Sequence, residues 1–241
     1  MKKTVKNNKK GEKSPSTEII PDATSAKKTQ QREIYWIIGT MISLILVFFI
    51  ASEVFQSLSK VEYKGMTFVK EKVGNMTFYH YYFFPSNEAG VVNEYHLYLR
   101  TDPSKNDIPV SGGEIEFFTD IPVYLSSNLT ALSECQLSAV SLGVLGSFLT
   151  YDFIKVKPAV LDESLSQQVN QSYITCADYP RRMVIEINKG NETSITKVNT
   201  NCYKLSFSDC EILPAVEKFQ VQMIIDAKAR SAKLKSPALL S

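Results

Sequence analysis

The chain has 241 residues, 44% hydrophobic and 22% charged, enough apolar content to bury a core and too much for disorder throughout. Its net charge of +2 conceals a split: residues 1–33 carry nine Lys/Arg against four acids, residues 53–241 eighteen against twenty-one. Nucleic acid is not an expected partner, and the split itself points to two compartments.

Residues 1–33 contain KKGEKSPSTE and DATSAKKTQQ, show no apolar period and are expected to form a disordered basic cytoplasmic tail. Ile34 to Ser52 follows, nineteen residues without a charge. As a helix this run would be roughly 28 Å long, against a hydrocarbon core of about 30 Å. Tyr35 and Trp36 lie at its start, where amphipathic rings favour the interface. The run exceeds the ~7–15 apolar residues of a cleaved signal, so an uncleaved, single-pass signal anchor is expected. Near the membrane the basic residues tie, with Lys27, Lys28 and Arg32 before the run and Lys60, Lys64 and Lys70 after it. A short tail counts whole and a long translocated domain scarcely counts, which favours a cytoplasmic N-terminus. All four cysteines lie beyond the run, as an oxidising exterior would have them. So do four N-x-S/T sequons, at Asn75, Asn128, Asn170 and Asn191, the glycosylation candidates.

Residues 53–60 are read as a stalk, 61–235 as an exported, disulfide-stabilised α+β domain and 236–241 as a tail. Val61–Tyr63, the Lys64-Gly65 turn and Met66–Lys72 predict a hairpin. Met76–Phe84 and Asn93–Arg100 alternate and should pair antiparallel across the SNEAG loop, with Asp102-Pro103 ending the second strand. Glu114–Phe118 and Pro122–Ser126 are further strand candidates. Ser133–Thr150 reads as a core helix too short to span a membrane, with Ala139, Gly143 and Gly146 suited to close packing on a sheet. Phe153–Val156 is the next strand, followed by an irregular loop to about Pro180. Arg182–Asn188, a turn at 189–192, Ser194–Val198 and Tyr203–Phe207 form a meander. Cys210–Arg230 has helical spacing, with Val216, Phe219, Met223 and Ala227 on one face and Asp209 as N-cap. The expected fold is a mixed sheet with two main helices.

A bond between Cys202 and Cys210 conflicts with a strand at 203–207, which would hold them about 16 Å apart at ~3.3 Å per residue. A disulfide needs Cα atoms within roughly 7 Å. Strand 122–126, helix 133–150 and strand 153–156 make a β-α-β unit, placing Cys135 at one end of the sheet. The meander places Cys210 at that same end, and Cys176 with Cys202 at the other. The expected bonds are Cys135–Cys210 and Cys176–Cys202. Zinc would need closely spaced cysteine pairs, and the sequence has none.

The segments YHLYLRTDPSK, VIEINKGNETSI and NCYKLSFSDCEILPAVEKF resemble a family of membrane-anchored exported proteins of small-genome archaea. The likeness spans most of residues 61–230. It implies an archaeal envelope protein with paired cysteines, and carries over no catalytic residue, because the family's motifs have no assigned chemistry.

The chain has two histidines. Pairing 76–84 with 93–100 about a turn centred near residue 88 sets His80 opposite His96. Phe78, His80, Tyr82 and Phe84 then share a face with Glu94, His96, Tyr98 and Arg100. Tyr79, Tyr81, Phe83, Tyr95, Leu97 and Leu99 take the core face. Two imidazoles beside Glu94 are a metal-capable set, but a cross-strand group of aromatic and polar residues is the plainer reading. His80, Tyr82, Glu94, His96 and Tyr98 are therefore candidate binding residues for an envelope protein or glycan. No G-x-S-x-G, H-E-x-x-H, Gly-rich phosphate loop or calcium loop is present, so neither metal nor other cofactor is expected. A non-catalytic envelope binding or structural module is the first expectation; an anchored hydrolase using His80 or His96 is the alternative.

Overall fold

The computed structural model describes residues 23–86, 90–118 and 120–235. The chain divides into two units, one ending at Phe55 and the other beginning at Gln56. Helix α1 (Ala23–Leu58) contains the apolar run. Its Ile34–Glu53 stretch has a mean hydropathy of 2.4 and none of it is buried, so it is long and apolar enough to cross a membrane. Residues 23–33, expected to be disordered, are helical, and the expected stalk from residue 53 is helical as far as Leu58. Residues 1–22 and the expected tail at 236–241 lie outside the described residues.

The second unit is α+β. Strands β1 (Lys60–Tyr63), β2 (Met66–Val73), β3 (Met76–Phe83) and β4 (Tyr95–Leu99) form an antiparallel sheet in chain order. Then come β5 (Val110–Ser111), β6 (Val123–Ser127), α2 (Leu129–Ser133), α3 (Ser138–Tyr151) and β7 (Val156–Val160). They are followed by α4 (Glu163–Gln168), β8 (Ser172–Tyr173), β9 (Met183–Lys189), β10 (Ser194–Asn199), β11 (Cys202–Phe207) and α5 (Ile212–Lys235). The later strands form a separate mixed sheet in the order β5-β10-β11-β9-β6-β7-β8. The fold class agrees with the sequence reading, with two sheets where one was expected.

Five local expectations are corrected, the first being the strand expected at Phe153–Val156, which lies instead at Val156–Val160. The helix expected at 133–150 is broken, and Cys135 lies in the turn between α2 and α3. The loop expected before Pro180 contains α4 and β8. Asp209 does not cap α5; it and Cys210 adopt left-handed φ of 44° and 61° in the turn before that helix. The segment 114–118 forms no strand because side chains satisfy its backbone instead of a ladder. Asp226 accepts from the Ile115 amide at 2.8 Å, and the Tyr203 hydroxyl both accepts from the Glu116 amide and donates to its carbonyl.

The larger correction concerns strand order. β9 and β10 do not form a hairpin: β11 lies between them, parallel to β9 and antiparallel to β10. The connection between β9 and β10 therefore crosses the end of β11, where the Gly190 amide donates to the Phe207 carbonyl at 2.9 Å. A Cβ at Gly190 would lie 3.0 Å from the Cβ of Ser206, so a larger residue at this crossing would crowd β11.

Helix α5 is the middle of the unit. Val216 and Phe219 belong to a core with Tyr203, Leu205 and Phe207 of the seven-stranded sheet. Glu217, next in the chain, accepts from the Arg100 and Thr101 amides after β4, and Lys228 lies 5.1 Å from the Tyr81 ring centroid. Helix α3 packs beside α5 through Leu145, Phe148 and Leu149, and Phe148 meets Phe83 and Tyr95 of the small sheet. The helices thus form a layer between two sheets, which explains why α5 is apolar on more than one side. The expected close packing through the small residues of α3 does not occur: a Cβ at Gly143 or Gly146 would meet nothing within 4 Å.

Two disulfides join the expected partners. Cys135–Cys210 has a Cα separation of 5.3 Å and Cys176–Cys202 one of 5.6 Å. The second lies in a small cluster with Ala159, Ile174 and Val184 on the opposite face of the large sheet from α5.

Candidate functional site

The small sheet turns one face to the helices and one away from them. On its inner face Met66, Phe68, Leu97 and Leu99 are buried, as the alternation requires. Its outer face carries the aromatic and histidine residues singled out above. The pairing of β3 with β4 sets His80 opposite Tyr98 and Tyr82 opposite His96. The two histidines are therefore diagonal, not directly opposed. An isolated bridge between Ser86 and Val92 continues the same register, two residues from the expected one. A two-residue slip leaves every side chain on its expected face.

The four rings form one cluster. His80 stacks on Tyr98 with centroids 4.2 Å apart and planes 13° apart, and lies 5.2 Å from His96 at 18°. Tyr82 lies 4.4 Å from His80 and meets His96 edge-on at 4.9 Å. Tyr82, His96 and Tyr98 are exposed, whereas His80 is only 3% exposed. His80 is the floor of this surface, covered by its neighbours, and does not line it.

The histidines have separate carboxylates. His80 Nδ1 is 2.7 Å from Glu71 Oε1 on β2, and His96 Nε2 is 3.4 Å from Glu94 Oε1. A carboxylate only accepts, so Nδ1 of His80 carries the hydrogen, and its buried Nε2 has no partner among the described residues. Metal binding does not suit this arrangement. Stacked imidazoles direct their in-plane lone pairs along nearly parallel planes, so they do not converge on one ion. No group of three or more His, Cys, Asp or Glu able to hold a metal exists among the described residues.

Beyond Tyr82 the surface continues into a groove of about 560 Å³, lined by Tyr82, Phe84, Asp152, Lys228 and Ser231 among others. This lies in the ~300–1,000 Å³ range of ligand sites. Asp152 ends α3, and burial pushes its carboxyl up to about 6, an effect that Arg230 partly offsets. The sequence reading missed Asp152 and Lys228. The available signal was a carboxylate at a helix C-terminus, where the helix dipole disfavours negative charge. Phe84 is exposed at the rim of the groove.

Three of the sequons, Asn75, Asn170 and Asn191, are exposed. Asn128 is committed elsewhere: its Oδ1 caps α2 by accepting from the Ala131 amide at 3.0 Å, and its Nδ2 donates to Asn188 at 2.9 Å.

Comparison with protein-family models, curated proteins and solved structures found no match to this chain.

Proposed function

We propose that the protein is a membrane-anchored, extracytoplasmic module of the cell envelope that binds a surface glycan on the outer face of the small sheet. The carrying observation is the exposed row of Tyr82, His96 and Tyr98 over a buried His80, running into the Asp152 groove. Flat rings offer apolar area to the C–H faces of sugars, while Glu94, Asp152 and the tyrosine hydroxyls offer hydrogen bonds to hydroxyl groups. The anchor in this reading is the Ile34–Glu53 stretch, with the N-terminus cytoplasmic. Two disulfides support an oxidising location for the larger unit. The archaeal family resemblance belongs to this proposal and agrees with an envelope role.

The hydrolase alternative has less behind it. His80 Nε2 is sealed from substrate, and among the described residues no serine hydroxyl hydrogen-bonds either histidine.

Full-length protein in detergent micelles, titrated calorimetrically with oligosaccharides released from the envelope, tests the glycan reading. Tyr82→Ala should weaken binding roughly tenfold, the ordinary size of one aromatic anchor. Unchanged affinity, or saturable binding of an envelope protein with none of the glycan, would reject it. Protease added to intact cells should remove residues from about 61 onward; digestion of the N-terminal tail instead would reverse the topology.

A further inference from the structure

Helix α5 carries a polar stripe on a side where it is buried. Lys218, Gln222 and Asp226 follow at intervals of four and so lie along one face. Lys218 is 8% exposed and Asp226 6%. With Lys64, Ser111, Gly112 and Gly113 they line a groove of about 510 Å³, separate from the aromatic surface. The far wall is bare backbone by necessity: Gly112 has φ of +88°, and a Cβ there would lie 2.1 Å from the Lys197 carbonyl oxygen.

Lys218 is held by neutral groups alone. Its Nζ donates to the Tyr63 hydroxyl at 3.2 Å and to the Asn106 carbonyl, and it lies 5.4 Å from the Tyr63 ring centroid. An ammonium has three hydrogens, so one remains. Among the described residues no carboxylate lies within ion-pairing distance of it. The acids nearby are engaged by others. Glu114 pairs with Lys233 at 2.9 Å, and Asp226 accepts from the Ile115 amide and from Gln222, each at 2.8 Å. Glu217 is held by the Arg100 and Thr101 amides. An anion entering the groove would supply the counter-charge that Lys218 lacks. Lys64, whose Nζ is 5.5 Å from the same Tyr63 ring, adds a second positive charge to a groove whose lining carboxylates, Glu114 and Asp226, are already engaged by Lys233, Ile115 and Gln222.

We infer that this groove binds a small, hydroxyl-bearing organic oxyanion, with the anionic group on Lys218 and Lys64 and the hydroxyls on Gln222 and Ser111. A lysine presents a compact point charge and not a planar fork, so a carboxylate and a phosphate both suit it. The site is independent of the glycan surface and stands whether or not that surface binds sugar.

The test is calorimetry on the full-length protein in detergent micelles, with glucuronate, glucose 6-phosphate and neutral glucose as probes, up to about 10 mM. At least one anionic probe should bind and raise the Tm, and glucose should do neither; the two anionic arms separate carboxylate from phosphate recognition. Lys218→Met should weaken binding roughly tenfold or more and abolish the anion-dependent rise in Tm. Lys64→Asn, an uncharged change that tolerates the exposed left-handed turn, should weaken binding severalfold and keeps the test valid if the first variant fails to fold. Absence of binding by both anions, or unchanged affinity in Lys64→Asn, would overturn the assignment.

Discussion

Glu71 accepts a hydrogen bond from Nδ1 of His80 at 2.7 Å, across the pairing of β2 with β3, and of the two it is the imidazole that is buried. Losing either partner should therefore have unequal effects. Glu71→Ala leaves a buried donor unsatisfied and should cost about 1–3 kcal/mol. His80→Phe keeps an aromatic ring in the stack and returns an exposed carboxylate to water, so it should cost less. Urea unfolding of both variants checks the order; a larger loss in His80→Phe would contradict it.

Asp152 supplies a pH dependence. Its folded-state value of about 6 lies above the ordinary 3.8, so the folded protein binds this proton more tightly. The stabilising contribution is complete below about pH 4, is lost as pH rises towards 6, and is constant above that. Its full size is about 3 kcal/mol at most. Asp152→Asn should raise stability at pH 7 by about 1–3 kcal/mol and leave it unchanged at pH 3.5. Burial also raises Glu217, so the variant should keep part of the acid-side slope.

The two disulfides should differ in worth. Cys135–Cys210 closes a separation of 75 residues and Cys176–Cys202 one of 26. Chain entropy gives about 4.5 and about 3.5 kcal/mol respectively. Replacing each pair with serine and measuring thermal unfolding should show the larger drop for the first. Non-reducing digestion should yield only these two linked peptides.

The sequons should divide by structure. Asn128→Ala removes a helix cap and should cost about 1 kcal/mol. In a glycosylating host, peptide mapping should find Asn128 bare even where the exposed Asn75, Asn170 or Asn191 carry sugar; an occupied Asn128 in folded protein would contradict the capping geometry.

What the sequence made legible followed from period and from distance. The alternation of Tyr79 to Phe83 and of Tyr95 to Leu99 assigned both faces of the small sheet. That assignment survived a register two residues off, because an even slip keeps each side chain on its face. The disulfides were legible because the strand directions alone decided which cysteines lie at the same end, and those directions hold in the structure.

What was not legible required partners distant in sequence. His80 is buried partly because Glu71 and Val69 come alongside on β2, and nothing in FYHYYFF indicates that. The insertion of β11 contradicts the tendency of consecutive strands to be neighbours. The strand expected at 114–118 was lost to Tyr203 and Asp226, residues about ninety and more than a hundred positions later, whose polar atoms replace a ladder.

The placement of β11 has a consequence for the order of assembly. Strand β11, an interior strand of the large sheet, is the last one synthesised, so β9 and β10 each keep an open edge until Cys202–Phe207 arrives. The same residues bring in the third cysteine, and the fourth comes three residues after them. While the chain emerges from its N-terminus, Cys135 and Cys176 are for a time the only thiols present, and neither is the other's partner. Oxidation in that interval can make only a wrong bond, so correct folding needs either late oxidation or an exchange step that undoes an early one.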